Sequence, residues 1–175
     1  CRILSSGSRT NPWMQESSNK IIQDGEIVSF DTDMVGPYGY CADISRAFVC
    51  GNKFNEHQKK IYSTAVEQID YNSRLIKDGV SFREFTEKAW ILPEKYYGNR
   101  YSVMLHGIGL CDEWPAIRYP TDGGERSGIF QKNMTITLES YIGEVGGHEG
   151  VKLEQQYLVG ENGLELMSHH PLEQI

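Results

Sequence analysis

Basic residues are scarce in this chain: 17 Lys and Arg stand against 24 Asp and Glu, a formal net charge of -7. A general nucleic-acid binder has the opposite balance, because phosphate contacts require a cationic footprint. Long apolar runs are missing as well. None approaches the roughly 18 residues a membrane span needs, so no membrane partner is expected. The four cysteines, at positions 1, 41, 50 and 111, form no CxxC pair. That scatter argues against a disulfide framework or a thiolate zinc site, and it fits a reducing, cytoplasmic location. Internal repeats and low-complexity stretches are absent. So is an initiator methionine: the sequence opens at Cys1, which suggests a fragment or one domain of a longer protein. What remains is 39% hydrophobic and 23% charged over 175 residues, the profile of one globular domain (1–175) with a real core.

Residues 1–25 are polar and rich in Ser, Asn and Gly, and read as loop. From Glu26 to Val49, two β-like runs flank the turn signal Gly36-Pro37-Tyr38-Gly39, which predicts a hairpin. Ile61, Ala65 and Ile69 recur at helical spacing, predicting a helix from Asn55 to about Lys77. Ser81 with Glu84 marks a possible second helix start, and Pro93 its end. Further β segments are expected at 103–109, 134–142, 151–159 and 163–167. In Met134–Glu139, apolar and polar residues alternate, as in a half-buried strand. Helices flanked by antiparallel strand pairs make an α+β fold.

Carboxylates inside strands are the anomaly. Asp31 and Asp33 are two apart, so they share one face of a strand. With a turn at 36–39, Asp43 on the return strand lies nearly opposite Asp33. Glu139 and Glu154 sit in two later β segments. A lone strand acid commonly marks an edge or turn, and Glu154 alone could pair with Lys152 or Arg118. Converging acids, however, raise one another's pKa and cannot all ionise in a dry site without cations. Two metal ions sharing bridging carboxylates suit such a set better than one catalytic zinc. His106, at the end of a short apolar strand, is the best-placed imidazole. The spacing alone does not reveal a reaction.

FDTDMVGPYGYCADISRAF, LHGIG, TITLES and GVKLEQQY together resemble the catalytic domain of the pita-bread metallopeptidase superfamily, which includes methionine aminopeptidase, proline aminopeptidase and prolidase. The resemblance covers about residues 24–159. It implies a pita-bread fold, incomplete here at its N-terminal side, and a dinuclear metal centre. Two departures stand out. Proline peptidases usually carry HGxGH, and here Leu110 takes the place of the second His. Their first motif usually has one Asp where this chain has Asp31-Thr32-Asp33.

A branch with these departures is the dimethylsulfoniopropionate lyases of the DddP type, which RTNPWMQES, HGIGLCDEWP and ESYIGEVGGHEGVKLEQQYLV also resemble. That resemblance implies Asp31, Asp33, Asp43, His106, Glu139 and Glu154 as metal ligands, Asp112 as catalytic base and Tyr101 as a substrate contact. It also implies iron and a homodimer. The donor types by themselves fit Fe, Mn, Zn or Co. The implied reaction is a carbon–sulfur β-elimination on a small sulfonium carboxylate. A sulfonium is attracted to aromatic faces, so Tyr101 and, less directly, Trp13 and Trp114 are candidate contacts. Trp13 and Trp114 also fit ordinary packing, and Asp112 a solvated loop. His148 fits either a substrate group lining the pocket or a loop residue. Cys111 reads as a small packed thiol. An Xaa-Pro dipeptidase or aminopeptidase on the same metals is the alternative.

Overall fold

Two β-rich runs around a glycine-bearing turn build the first hairpin. In the computed structural model, which describes residues 2–51, 53–123 and 127–172, β2 (Ile27–Val35) pairs antiparallel with β3 (Cys41–Val49). Pro37–Gly39 makes the turn, with Tyr38 and Gly39 both at positive φ. A further strand, β1 (Arg2–Ser6), adds to the free edge of β2 and completes a three-stranded sheet. This corrects the expectation of loop through residue 25. At five residues β1 is too short to show a period, and its strand character comes from pairing with β2.

The helices follow their sequence signals. Helix α1 (Glu56–Ser73) starts at Asn55, whose side chain accepts the Gln58 N–H at 2.9 Å while Gln58 Oε1 accepts the Asn55 N–H at 2.8 Å. This reciprocal pair satisfies two of the orphan donors of the first turn. Helix α2 (Phe82–Lys88) starts at Ser81, which accepts the Glu84 N–H at 3.0 Å. It ends before Pro93, and a single unpredicted turn, α3 (Glu94–Tyr97), follows.

The second sheet has the order β5-β4-β6-β7-β8, all neighbours antiparallel. Its strands are β4 (Val103–Gly107), β5 (Ala116–Arg118), β6 (Thr135–Gly143), β7 (Gly150–Val159) and β8 (Leu164–Leu166). The three-residue β5 had no sequence signal. Along β6 and β7, Ile136, Leu138, Ile142, Val151 and Leu153 join α1 residues Ile61, Ala65 and Ile69 in the main core. Thr137, Glu139, Tyr141, Lys152 and Glu154 alternate with these residues and are also buried. The expectation that β6 is half-buried is therefore corrected. Alternation separates its apolar from its polar side, but the first sheet and the Trp13 segment cover the polar side. Strand β3 packs against β7, and at that seam most of the unusual carboxylates meet.

Arg46 ties the seam together. It is buried, and its guanidinium donates to the carbonyls of Ser45 (2.8 Å), Glu154 (2.5 Å) and His170 (2.5 Å) and to Gln155 Oε1 (2.5 Å). Arg46→Met would leave these acceptors buried and unpaired. We expect a loss of about 3 kcal/mol of stability, read from chemical denaturation. Among the described residues, no helix is long and apolar enough to cross a membrane, and Cys41, Cys50 and Cys111 are free thiols. Cys1 lies outside the described residues.

Candidate metal centre

Strand register brings the acids together. Asp33 is directly opposite Asp43 in the β2–β3 pair, Asp31 is opposite Ser45, and Glu139 is opposite Glu154 in the β6–β7 pair. His106, on β4, enters from the other side of β6. Its Nε2 lies 3.2 Å from Glu139 Oε1, 3.5 Å from Glu154 Oε1 and 3.5 Å from Asp43 Oδ2. Donor atoms of Asp43, His106 and Glu154 lie within 4.8 Å of one another, and so do those of Asp31, Asp33 and Asp43. Asp43 belongs to both groups, which is the arrangement expected of a ligand shared by two ions.

The donors fit a metal on chemical grounds. His106 Nδ1 lies 3.0 Å from the Gly107 carbonyl. A hydrogen on Nδ1 would donate to it, turning the Nε2 lone pair toward the carboxylates. A lone pair facing three carboxylate oxygens is repulsive unless a proton or a cation lies between them. No hydrogen bond reaches the buried Asp43 Oδ1 or Glu154 Oε1. These are oxygens a cation could use.

Titration behaviour reflects the crowding. Burial, aided by the Glu154 charge, pushes Asp43 up to about 9. Burial and the Glu154 charge likewise push Glu139 up to about 6. Burial raises Asp31 too. Burial also opposes ionisation of Glu154, but Lys152 and His106 outweigh it and hold that carboxyl below its usual range. Burial disfavours a charged His106, yet its carboxylate partners raise it far above an ordinary imidazole. One pair of groups is thus driven apart, Glu154 down and Asp43 up, as at sites that manage charge.

Lys152 is the principal residue whose role sequence reasoning missed. Its ammonium contacts Glu139 Oε2, lies 3.4 Å from Glu154 Oε2 and donates to Ser45 Oγ at 2.9 Å. Ser45 in turn donates to Asp31 Oδ1. The available signal was Lys152 and Glu154 two apart on a strand, hence on one face.

The centre opens to a small cleft of about 60 Å³, lined by Ile3, Met14, Asp31, Asp33, Asp43, Tyr101, Glu113, Glu139 and Lys152. Tyr101 is therefore in the cleft. The Trp13 ring packs on Tyr141, centroids 6.0 Å apart, and Lys152 Nζ lies 5.2 Å from the rings of both Trp13 and Tyr101. Asp112 follows β4 with Oδ1 4.0 Å from His106 Nδ1, on the side of the imidazole away from the other acids. His148 is exposed in the turn between β6 and β7 and does not line the cleft. Trp114 and Leu110 are exposed. Cys111, expected to be packed, is exposed in the loop after β4. Arg100 pairs with Asp122 and stacks on Tyr97, away from the centre.

Comparison with known proteins identifies the family and the fold. The model of metallopeptidase family M24 matches residues 1–161. The chain is 40% identical to dimethylsulfoniopropionate lyase DddP of Roseovarius nubinhibens and 39% identical to that of Roseobacter denitrificans. Each match covers 98% of this chain and 39% of the relative, so the chain spans about two fifths of the length of these curated relatives. Among solved structures, prolidase from Pyrococcus furiosus superposes with a TM-score of 0.81 at 28% identity, covering 97% of this chain and 49% of that one. X-Pro aminopeptidase from Thermotoga maritima gives 0.79 at 27% identity, covering 98% and 47%. With a pita-bread fold and a cluster of buried acids around one histidine, this chain belongs to metallopeptidase family M24.

Proposed function

We propose that this protein is a metal-dependent carbon–sulfur lyase that cleaves dimethylsulfoniopropionate to dimethyl sulfide and acrylate. The observation that carries the reading is the exposed Leu110 in HGIGLCDEW, together with an otherwise full set of donors. Proline peptidases of the superfamily usually place a second histidine there, where it helps bind the peptide and stabilise its transition state. A β-elimination has no tetrahedral intermediate and no attacking water to serve. The 40% identity to a dimethylsulfoniopropionate lyase supports the same choice.

Asp31, Asp33, Asp43, His106, Glu139 and Glu154 would hold two divalent ions, with iron favoured by the resemblance. Such ions supply Lewis-acid polarisation of a substrate carboxylate, which acidifies the adjacent Cα–H. Asp112 takes the Cα proton. The Cα–H electron pair becomes the carbon–carbon double bond, the Cβ–S bond breaks, and its electron pair leaves with sulfur as neutral dimethyl sulfide. The balance is complete without a general acid. Tyr101 lines the cleft and contacts the substrate. Trp13, behind it, offers a further aromatic face for the sulfonium. The full-length protein is read as a cytoplasmic homodimer.

The rival is an Xaa-Pro dipeptidase, favoured by the structural likeness to prolidase. Purified full-length protein, loaded with metal, should release dimethyl sulfide from dimethylsulfoniopropionate and leave Xaa-Pro dipeptides intact. Dipeptide turnover without dimethyl sulfide release rejects the lyase reading.

A further inference from the structure

The five carboxylates of the centre carry five negative charges when ionised, and two divalent ions would return four. Lys152 supplies the fifth positive charge from within the chain. The side chain is 2% exposed, and its position is defined on every side. Nζ meets Glu139 and Glu154 at their Oε2 atoms, whereas His106 Nε2 faces the Oε1 atoms of the same two residues. Each glutamate is thus held between an imidazole on one oxygen and an ammonium on the other. Through Ser45 Oγ, at 2.9 Å, Lys152 also reaches Asp31. At the cleft, the rings of Trp13 and Tyr101 lie beside the ammonium, each 5.2 Å from Nζ.

We propose that Lys152 is a resident cation of the metal centre: it holds the Glu139–Glu154 pair together and competes with the divalent ions for it. The inference rests on the metal-centre reading above. Two carboxylates paired across β6 and β7 repel, and burial intensifies that repulsion. The ammonium offsets it whether or not a metal is bound. A dication that seeks the Oε2 atoms meets a like charge already there, so the lysine limits metal affinity while it stabilises the metal-free protein. The coupling is reciprocal: whatever Lys152 costs metal binding, metal binding costs the lysine contacts. The strand pairing and His106 already aim the glutamates, so the charge term outweighs any loss of positioning on removing the lysine.

Full-length wild-type protein, Lys152→Met and Lys152→Gln are freed of metal with a chelator and titrated with Mn2+ by calorimetry. Thermal melts are recorded with and without Mn2+. We expect both variants to melt lower than wild type without metal and close to wild type with saturating Mn2+, and to bind Mn2+ about tenfold more tightly. A lysine that only fills space lowers both melts equally and leaves the Kd unchanged, which overturns the inference. Weaker Mn2+ binding in the variants overturns it as well, because the lysine would then build the site. So does a failure of both variants to fold even with Mn2+. If the wild type itself binds no Mn2+, the metal-centre reading falls and this inference with it. Equal binding by all three proteins removes this inference alone.

Discussion

Replacing Asp43 by asparagine is expected to bring bound metal from two ions per chain to less than one and to lower turnover at least about a thousandfold, beyond the 10–100-fold typical of outer-shell changes. Asp43 is the residue common to both donor groups, opposite Asp33 in register and 3.5 Å from His106 Nε2. Asparagine keeps the shape but removes the charge and one anionic oxygen, so neither ion retains its shared ligand. Unfolding does not explain such a loss, because Asp43 is one of several crowded acids and burial pushes it up to about 9. Removing that repulsion should leave the metal-free variant melting at or above the metal-free wild type. Asp33→Asn, which touches only the Asp31–Asp33–Asp43 group, should lose less. Elemental analysis of replete protein, with melts of the stripped forms, checks each part. Two ions retained per Asp43→Asn chain would remove Asp43 from the role of shared ligand.

The acids of the centre were legible because a strand advertises its faces. A period of two puts Asp31 and Asp33 on one side, and a turn at Pro37–Gly39 fixes Asp43 opposite Asp33. Helix caps were equally readable at Asn55 and Ser81, where short polar side chains reach the first free N–H groups. Strands β1 and β5 were not readable. Five and three residues show no period, and both exist through a neighbour's backbone. The buried polar face of β6 was missed for a related reason: alternation tells which side is polar, and only the rest of the fold tells what covers that side.

Charge state was the hardest property to foresee. A lysine in a strand ordinarily reads as solvent-facing, and Glu154 with Lys152 as a simple pair. The structure instead links Lys152 to Glu139 and Glu154 directly and to Asp31 through Ser45. Those partners lie on four strands, and Asp31 and Ser45 come from the first hairpin, far from Lys152 in sequence. No local window contains the information that makes the lysine part of the centre.

Asp112→Asn is expected to lower dimethyl sulfide release by about 10²–10⁴-fold, the range for loss of a general base, while metal content stays at the wild-type level. The separation of the two readouts follows from position. Asp112 Oδ1 lies 4.0 Å from His106 Nδ1, too far for a hydrogen bond and on the side of the ring opposite the Nε2 that faces Asp43, Glu139 and Glu154. Its carboxylate accepts the Glu113 N–H at 2.9 Å, a contact asparagine can keep through its own oxygen. The loop should therefore hold while the base is lost. Glu113 is the natural competitor, because it lines the cleft beside Asp33 and Tyr101. Glu113→Gln should change turnover by no more than about threefold, under 1 kcal/mol of barrier. A large loss in Glu113→Gln with a small one in Asp112→Asn would transfer the role of base to Glu113. Loss of metal from Asp112→Asn would make Asp112 part of the donor set instead.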